Sequence, residues 1–210
     1  MERATIYRAI SALTALVGGL CALAVSGYLL ARGGYFGSAE TGASLLTTHD
    51  FVPPWICALL VTGAANLWFL RRESSRGDRP FLSPGLRLAL RSIIPSILVA
   101  AIVTLVIWRN PVALDGPTFL GLSWVGFYGL ALLATMNFAP KSLTMLGAGF
   151  LLVALLWLVL LSSPALMEVE AVQRYLDPRV VMALTFGLFH LIYAACAWRP
   201  AREEQVDPLT

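Results

Sequence analysis

Six long apolar segments constrain the fold of this chain more than any other feature of its sequence. A bilayer core is about 30 Å thick, so a helix that crosses it needs roughly 20 mostly apolar residues. Six segments meet this requirement, at residues 10–31, 53–70, 92–108, 117–138, 142–161 and 180–198. Because backbone groups in lipid must be hydrogen-bonded within their own segment, we predict a bundle of six transmembrane helices. The sequence therefore predicts one all-α integral membrane domain over residues 1–210.

The amino-acid composition is typical of a chain that contacts lipid. Hydrophobic residues make up 58% of the 210 residues and charged residues 13%. Soluble domains average about 45–50% apolar and about 25% charged residues. The net charge of +3 is small, and no run of Lys or Arg resembles a nucleic-acid-binding tail. We therefore expect the lipid bilayer as a partner, no nucleic-acid partner and no separate soluble domain.

The distribution of Arg and Lys predicts how the helices are oriented. With the N-terminus inside, one side of the membrane collects eleven basic residues: Arg3, Arg8, Arg71, Arg72, Arg76, Arg79, Arg87, Arg91, Lys141, Arg199 and Arg202. The opposite side collects four: Arg32, Arg109, Arg174 and Arg179. Since basic residues concentrate on the cytoplasmic side, we predict that both termini lie in the cytoplasm. A multi-pass protein of the bacterial inner membrane fits this pattern.

The first apolar segment has an alternative interpretation. Arg3 and Arg8, followed by an apolar run and Ala22-Leu23-Ala24, resemble a secretory signal with its cleavage site. Cleavage would leave five spans. The apolar run continues to Leu30, beyond the length of about 7–15 residues that a signal core usually has, which favours an uncleaved helix.

The connection between the fifth and sixth segments has a pattern of its own. Over residues 164–176, apolar side chains recur at roughly helical spacing and alternate with Glu168, Glu170 and Arg174. Such a pattern is typical of an amphipathic helix that lies along a membrane surface. We predict a short helix over 164–176 on the outer membrane interface.

Few residues within the predicted spans could carry chemistry. None of the twelve Asp and Glu residues falls in the middle of a span, where ion-coupled transporters usually place ionisable groups. The same absence argues against paired-carboxylate catalysis and carboxylate-ligated metals. Phosphate loops, dinucleotide fingerprints and zinc motifs are missing, and Cys21, Cys57 and Cys196 lack metal-site spacing. We therefore predict no cofactor and no metal, and favour a non-enzymatic protein.

His190 is the one ionisable side chain deep in a predicted span, and polar residues of other helices lie at similar depth. The candidate ligand-binding or polar-cluster residues are Asn66, Thr135, Asn137, His190 and Tyr193. One interpretation is a small polar pocket for a ligand or a lipid headgroup. The other is hydrogen bonding between helices, which contributes about 0.6 kcal/mol per bond and up to about 2 kcal/mol. Because no charged partner of His190 is in reach by sequence, we favour the structural interpretation.

A serine on the fourth predicted helix supports a different hypothesis. Gly121-Leu122-Ser123, together with His190 on the sixth helix and Asn66 on the second, resembles the pattern of rhomboid intramembrane serine proteases. The resemblance implies that Ser123 is the nucleophile and His190 its base. Trp124 stands where that family has a glycine, and Thr62 stands where it has a paired histidine. Ser123 and His190 also differ in predicted depth, at roughly 9 Å and roughly 15 Å from the outer helix ends.

Three functional hypotheses follow from these patterns. The leading one is a non-enzymatic binding or accessory protein for a protein partner or a lipid-like ligand, and a homo-oligomer is one of the partners considered. The second is a small-molecule transporter or channel without ion coupling, which needs a continuous polar path across the spans. The third is the rhomboid-like hydrolase, although Ser123 fits a helix-packing role better.

Overall fold

The computed structural model of the protein describes residues 12–33, 35, 46–75, 84–110, 115–137 and 139–198, which form helices and turns and include no strand. The six long helices are α1 (Ala12–Arg32), α2 (Thr48–Ser74), α3 (Pro84–Arg109), α4 (Gly116–Leu133), α5 (Lys141–Leu161) and α8 (Pro178–Ala197). Two short helices, α6 (Pro164–Met167) and α7 (Glu170–Tyr175), connect α5 to α8. Each of the six long helices contains a stretch long and apolar enough to cross a membrane. The prediction of an all-α chain with six such helices is thereby confirmed.

Helices α1 and α8 run antiparallel, which puts the start of α1 and the end of α8 at the same end of the bundle. Gly33 packs against Arg179, and Gly19 packs against Gly187. We call the end that carries Arg32 and Arg179 the Arg32 end, and the opposite end the Ala12 end. Several basic residues behind the orientation prediction lie outside the described residues: Arg3, Arg8, Arg76, Arg79, Arg199 and Arg202. The orientation in the membrane stays a prediction.

Helices α2 and α3 begin earlier than the apolar segments suggest. Helix α2 begins at Thr48 and contains Pro53, the predicted first residue. The Thr47 hydroxyl caps this earlier start, since it accepts the backbone N–H of Asp50 at 3.2 Å and donates to the Asp50 carboxylate at 2.6 Å. Helix α3 begins at Pro84 and not at residue 92, because proline suits the first helical position and the helix continues through Arg87 and Arg91, which precede the uninterrupted apolar run.

Two other predicted boundaries also differ from the structure. Helix α4 ends at Leu133, so that Thr135 and Asn137 lie in the turn that follows it. The helix predicted over 164–176 is instead two short helices, α6 and α7. They are separated at Val169, whose backbone is extended with φ −87° and ψ 110°. The location of the segment 164–176 at the membrane surface stays a prediction.

Glycines bring two pairs of helices into close contact. A Cβ atom added to Gly129 of α4 would lie 3.0 Å from the carbonyl oxygen of Gly147 in α5, and one added to Gly147 would lie 3.2 Å from that of Gly129. A Cβ atom on Gly19 of α1 would lie 3.0 Å from the carbonyl oxygen of Gly187 in α8. Small residues at helix contacts are the usual way for helices to approach closely in lipid. The bundle is therefore tightest between α4 and α5 and between α1 and α8.

Helix α3 lies at the periphery of this bundle. Only 6% of its apolar stretch is buried within the protein, compared with 44% for α4. Ala89 and Ile107 are buried, whereas large apolar side chains such as Ile97 and Ile102 are exposed. Helix α3 therefore contributes little to the core and presents an apolar face to its surroundings.

Candidate ligand-binding site

The backbone of α8 changes its hydrogen-bonding pattern immediately before His190. Residues Ala183–Phe189 are π-helical, with α-helical turns on both sides. Such turns are rare and are often found at functional sites. Gly187 lies within this segment and packs against Leu23 of α1. The π segment therefore helps to set how α8 presents His190 to its neighbours.

His190 is buried and hydrogen-bonded to a tyrosine of α4. Its side chain is 7% exposed, and its Nε2 atom lies 2.8 Å from the Tyr128 hydroxyl oxygen. Among the described residues its Nδ1 atom has no hydrogen bond of good geometry, although the carbonyl groups of Thr185 and Phe186 interact with the ring. Because carbonyl groups only accept, we assign the proton to Nδ1 and make Tyr128 the donor to Nε2.

Aromatic rings fill the surroundings of His190. The ring centroids of Tyr128 and Phe150 each lie 5.5 Å from that of His190, and Phe186 is stacked on it at 6.1 Å. We call the connected group of rings around His190 the aromatic cluster: Phe51, Trp55, Trp124, Tyr128, Phe150, Phe186, Phe189 and His190. Such contacts favour tight packing. The aromatic cluster is a packed part of the core, in which Phe51 and Phe150 are fully buried and several other rings are partly buried.

Asn66 and Thr135 have hydrogen-bond partners other than His190. The Thr14 hydroxyl of α1 donates to the Asn66 side-chain oxygen at 3.1 Å. Thr135 is fully buried, and its hydroxyl donates to the Leu132 carbonyl oxygen at 2.7 Å. These bonds join α1 to α2 and cap the end of α4. They give both residues a structural role.

The two remaining candidate residues differ in exposure. Asn137 is exposed in the turn after α4. Tyr193 is buried, and its hydroxyl interacts with the Ser142 side chain at the start of α5. The structure therefore spreads the five candidate residues over several local contacts. A role for them in ligand binding stays a prediction.

Ser123 is not hydrogen-bonded to His190. Of the two ring nitrogens of His190, Nε2 is paired with Tyr128 and Nδ1 has no such partner among the described side chains. Ser123 precedes Tyr128 by five positions on α4, which separates them by about 7.5 Å along the helix and about 140° around it. Ser123 thus belongs to a different face of α4 from the one that contacts His190. This geometry does not favour a Ser–His catalytic pair.

A buried ion pair at the Arg32 end was not predicted from the sequence. Arg179 is 9% exposed, and its Nε and Nη2 atoms donate to the Asp177 carboxylate at distances of 2.6 to 3.1 Å. The same carboxylate accepts the backbone N–H of Arg179 at 2.8 Å and so caps the start of α8. The Nη1 atom of Arg179 donates to the Leu29 carbonyl oxygen in the last turn of α1 at 3.3 Å. The pair therefore ties the start of α8 to the end of α1.

The Arg179 side chain also organises the residues that follow α1. A Cβ atom on Gly33 would lie 1.9 Å from Arg179 Nη1, so the guanidinium occupies the space that a larger residue would need. The Arg179 guanidinium lies 5.8 Å from the centre of the Tyr35 ring, a cation–π distance. In turn, the Tyr35 hydroxyl donates to the Arg174 carbonyl oxygen at 3.4 Å. These contacts place Tyr35 against α7.

An open cavity lies between Tyr35 and α7. It has a volume of about 440 Å³ and is lined by Tyr35, Glu170, Ala171, Arg174 and Tyr175. Ligand sites in proteins usually have about 300–1,000 Å³. Arg174 and Glu170 form an ion pair at 3.3 Å, with side chains that are 63% and 84% exposed. The cavity therefore offers one cation, one anion and two aromatic rings to a ligand.

The charged groups of this cavity are exposed and paired with each other. In the part of the chain that the structure describes, no group of three or more His, Cys, Asp or Glu side chains could hold a metal ion. Exposed, paired charges bind ions of opposite charge and do not supply an activated nucleophile.

The start of α8 has a recognisable sequence pattern, whereas the contacts of Arg179 do not. Asp177-Pro178-Arg179 has the helix-start pattern of a capping Asp followed by Pro at the first helical position. That pattern predicts the start of α8, whereas the burial of Arg179 depends on contacts with α1.

Comparisons with protein-family models, curated proteins and solved structures found no match for this chain.

Proposed function

We propose that the chain is a non-enzymatic, multi-pass membrane protein that binds a lipid-like ligand in the cavity between Tyr35 and α7. One observation carries the proposal: an open cavity of ligand size, with charged and aromatic groups, lies at the end of an apolar helix bundle. The aromatic cluster around His190, in contrast, is filled by its own rings. Ligand binding therefore belongs to the Arg32 end.

The connectivity of the chain supports a headgroup-level position for this cavity. Tyr35 lies just beyond the last residue of α1, and α7 ends shortly before α8 begins at Pro178. Both elements thus lie where apolar spans end. The apolar side chains of Leu166 and Val169 nearby are exposed, as expected for a segment at a membrane surface. A lipid in the cavity would keep its chains beside the apolar helices.

The charge distribution supports an orientation for this site. The sequence predicts eleven basic residues on one side of the membrane and four on the other, where Arg32 and Arg179 belong, and this asymmetry favours cytoplasmic termini. In a bacterial inner membrane, the cavity then lies on the outer face. Reporter proteins fused after residues 75 and 198 measure the orientation of the chain in the membrane directly. Cytoplasmic reporter activity at both positions is the expected result.

Retention of lipid by the purified protein tests the proposed function. The protein is extracted gently, and native mass spectrometry measures the fraction that carries a lipid-sized mass. We expect lipid on the unaltered protein and about tenfold weaker retention after Arg174→Gln, since a charge-assisted hydrogen bond is lost. Arg109→Gln is the matched control, because Arg109 is exposed at the same end and does not line the cavity. Equal lipid retention by all three proteins would contradict a site at Arg174.

The periphery of the bundle favours a second candidate function. The exposed apolar face of α3 supports lateral association with a membrane protein or with a second copy of this chain. Cysteine crosslinking in native membranes after Ile102→Cys, compared with Cys57 of the unaltered protein, tests this association. A crosslinked product specific to Ile102→Cys is expected for an interface on α3. Detection of monomer alone would contradict an interface on α3 and leave the lipid as the proposed ligand.

The interior gives less support to a transporter. Most of the fully buried side chains are apolar, among them Leu29, Phe51, Leu120, Val125 and Met182. The fully buried hydroxyls of Thr135 and Thr185 donate to carbonyl groups of the preceding helical turn, and Ser26 is the other fully buried polar residue among those described. A transport path needs polar groups across the same region. Solute flux into liposomes that contain the protein is therefore expected to equal flux into empty liposomes.

A further inference from the structure

We infer that the cavity between Tyr35 and α7 recognises a zwitterionic phospholipid headgroup, in which a phosphate diester is joined to a cationic amine. This inference rests on the proposed function and specifies its ligand. It depends on the charges that line the cavity, their distance and their exposure. Each part of the headgroup has a chemically matched group on the protein.

Arg174 is the matched group for the phosphate. Its Nη2 atom lies 3.3 Å from one Glu170 carboxylate oxygen, so most of its N–H donors remain for another acceptor. A guanidinium presents its donors in a planar fork that matches phosphate oxygens. The side chain is 63% exposed, so a lipid phosphate can reach it without displacing the core.

Glu170 and Tyr175 are the matched groups for the amine. The Glu170 side chain is 84% exposed and carries a negative charge beside Arg174. Tyr175 is 73% exposed, and an aromatic face attracts a cation such as an ammonium group. Tyr35 already has the Arg179 guanidinium at its ring, at 5.8 Å. The amine therefore belongs on the Glu170 and Tyr175 side of the cavity.

The charge balance of the cavity favours a zwitterion over an anionic headgroup. Arg174 and Glu170 together carry no net charge, and the nearby Arg179 is neutralised by Asp177 at 2.6 Å. An anionic headgroup would satisfy Arg174 but would bring a second negative charge close to Glu170. A zwitterionic headgroup pairs with both side chains at once. Specificity then comes from the repulsion between an anionic headgroup and Glu170, which a zwitterionic headgroup avoids.

A panel of lipids that differ in headgroup alone tests this inference. Delipidated protein in detergent is titrated with dioleoyl phosphatidylethanolamine, phosphatidylcholine and phosphatidylglycerol, and binding is measured by native mass spectrometry. We expect the two zwitterionic lipids to bind up to about fivefold more tightly than phosphatidylglycerol, the range that an exposed ion pair between the amine and Glu170 provides. Glu170→Gln should abolish this preference while lipid is still bound. Arg174→Gln should weaken binding of all three lipids.

The outcomes separate this inference from the function on which it rests. Equal binding of the three lipids, abolished by Arg174→Gln, overturns the headgroup inference and leaves lipid binding in place. No binding of any lipid by folded protein overturns both. Soluble glycerophosphoethanolamine tests whether the ligand is a membrane lipid or a soluble compound. If it competes with the lipid at the same concentration, the proposal of a membrane-lipid ligand is overturned. Thermal unfolding of each variant, with Arg109→Gln as control, establishes that the compared proteins are folded.

Discussion

Two basic side chains are buried among the residues that the structure describes, His190 in the middle of the bundle and Arg179 at the Arg32 end, and their surroundings differ. His190 is 7% exposed and enclosed by aromatic rings, with Tyr128 as its hydrogen-bond partner. Arg179 is 9% exposed, is paired with Asp177 and contacts Tyr35, which lines the open cavity. Similar burial therefore accompanies a packed aromatic core in one region and a neighbouring open cavity in the other.

The difference follows from what each side chain can do when water is removed. A histidine can be buried as a neutral ring with a hydrogen-bond partner. An arginine keeps its charge, and a buried charge needs an opposite charge and further hydrogen bonds. Arg179 obtains these from Asp177 and the Leu29 carbonyl group. The charged cavity residues Glu170 and Arg174 remain exposed, so a ligand can reach them.

The largest expected effect is on stability when Arg179 loses its counterion. Asp177→Ala leaves a buried, unpaired guanidinium and removes the cap of α8. We expect the free energy of unfolding to fall by about 3–5 kcal/mol. Reversible unfolding in mixed micelles, followed by tryptophan fluorescence, measures the change. The double variant Asp177→Ala/Arg179→Leu should recover part of the loss, and no recovery would mean that the charge is not the cause.

The second prediction weakens the aromatic cluster without touching the cavity. Tyr128→Phe removes the hydroxyl that donates to His190 and leaves a buried ring nitrogen without its partner. We expect the free energy of unfolding to fall by about 1–3 kcal/mol, with unchanged lipid retention. Tyr28→Phe is the control, since Tyr28 is 53% exposed, and should change stability by less than about 0.5 kcal/mol. Loss of lipid after Tyr128→Phe would show that the two regions are not independent.

The third prediction tests how the end of α1 holds Arg179. Gly33→Ala places a methyl group where Arg179 Nη1 lies and displaces its hydrogen bond to Leu29. We expect a loss of about 1 kcal/mol, at the lower end of the range for overpacking. Gly27→Ala on the same helix is the control, because no described atom lies within 4 Å of its added Cβ. Equal unfolding free energies for the two variants would contradict the packing of Gly33 against Arg179.

The smallest expected effect on stability is at the cavity itself. Arg174→Gln removes an exposed ion pair within one turn of helix, which contributes about 0.3–0.5 kcal/mol. We expect almost unchanged unfolding together with the large loss of lipid described above. A loss of stability above about 1 kcal/mol would assign Arg174 a structural role.

Most of the fold could be predicted from the sequence, because lipid imposes a length and a composition on every span. The starts of α2 and α3 could not, since Thr47 and Pro84 lie outside the apolar stretches that defined the spans. The end of α4 was also placed too late, which put Thr135 and Asn137 within a span. Local hydrogen bonds at helix ends determine these boundaries more than hydropathy does.

The sites could be predicted only in part. Hydropathy identified His190 as a buried polar residue, but its partner Tyr128 depends on the rotation of α8, which the π segment sets. The cavity depends on contacts over a long stretch of chain: Tyr35 and Arg174, which are hydrogen-bonded, are 139 positions apart. No local pattern carries that information. The predicted interfacial segment nevertheless contains α7, the helix that lines the cavity.

Lipid retention by two variants compared side by side tests the central contrast most directly. Tyr128→Phe and Arg174→Gln are purified identically with the unaltered protein, and native mass spectrometry measures the lipid-bound fraction of each. We expect that Tyr128→Phe keeps its lipid while Arg174→Gln loses about nine-tenths of its binding affinity. Lipid lost from Tyr128→Phe and kept by Arg174→Gln would overturn a site at Arg174 and place the binding site in the aromatic cluster.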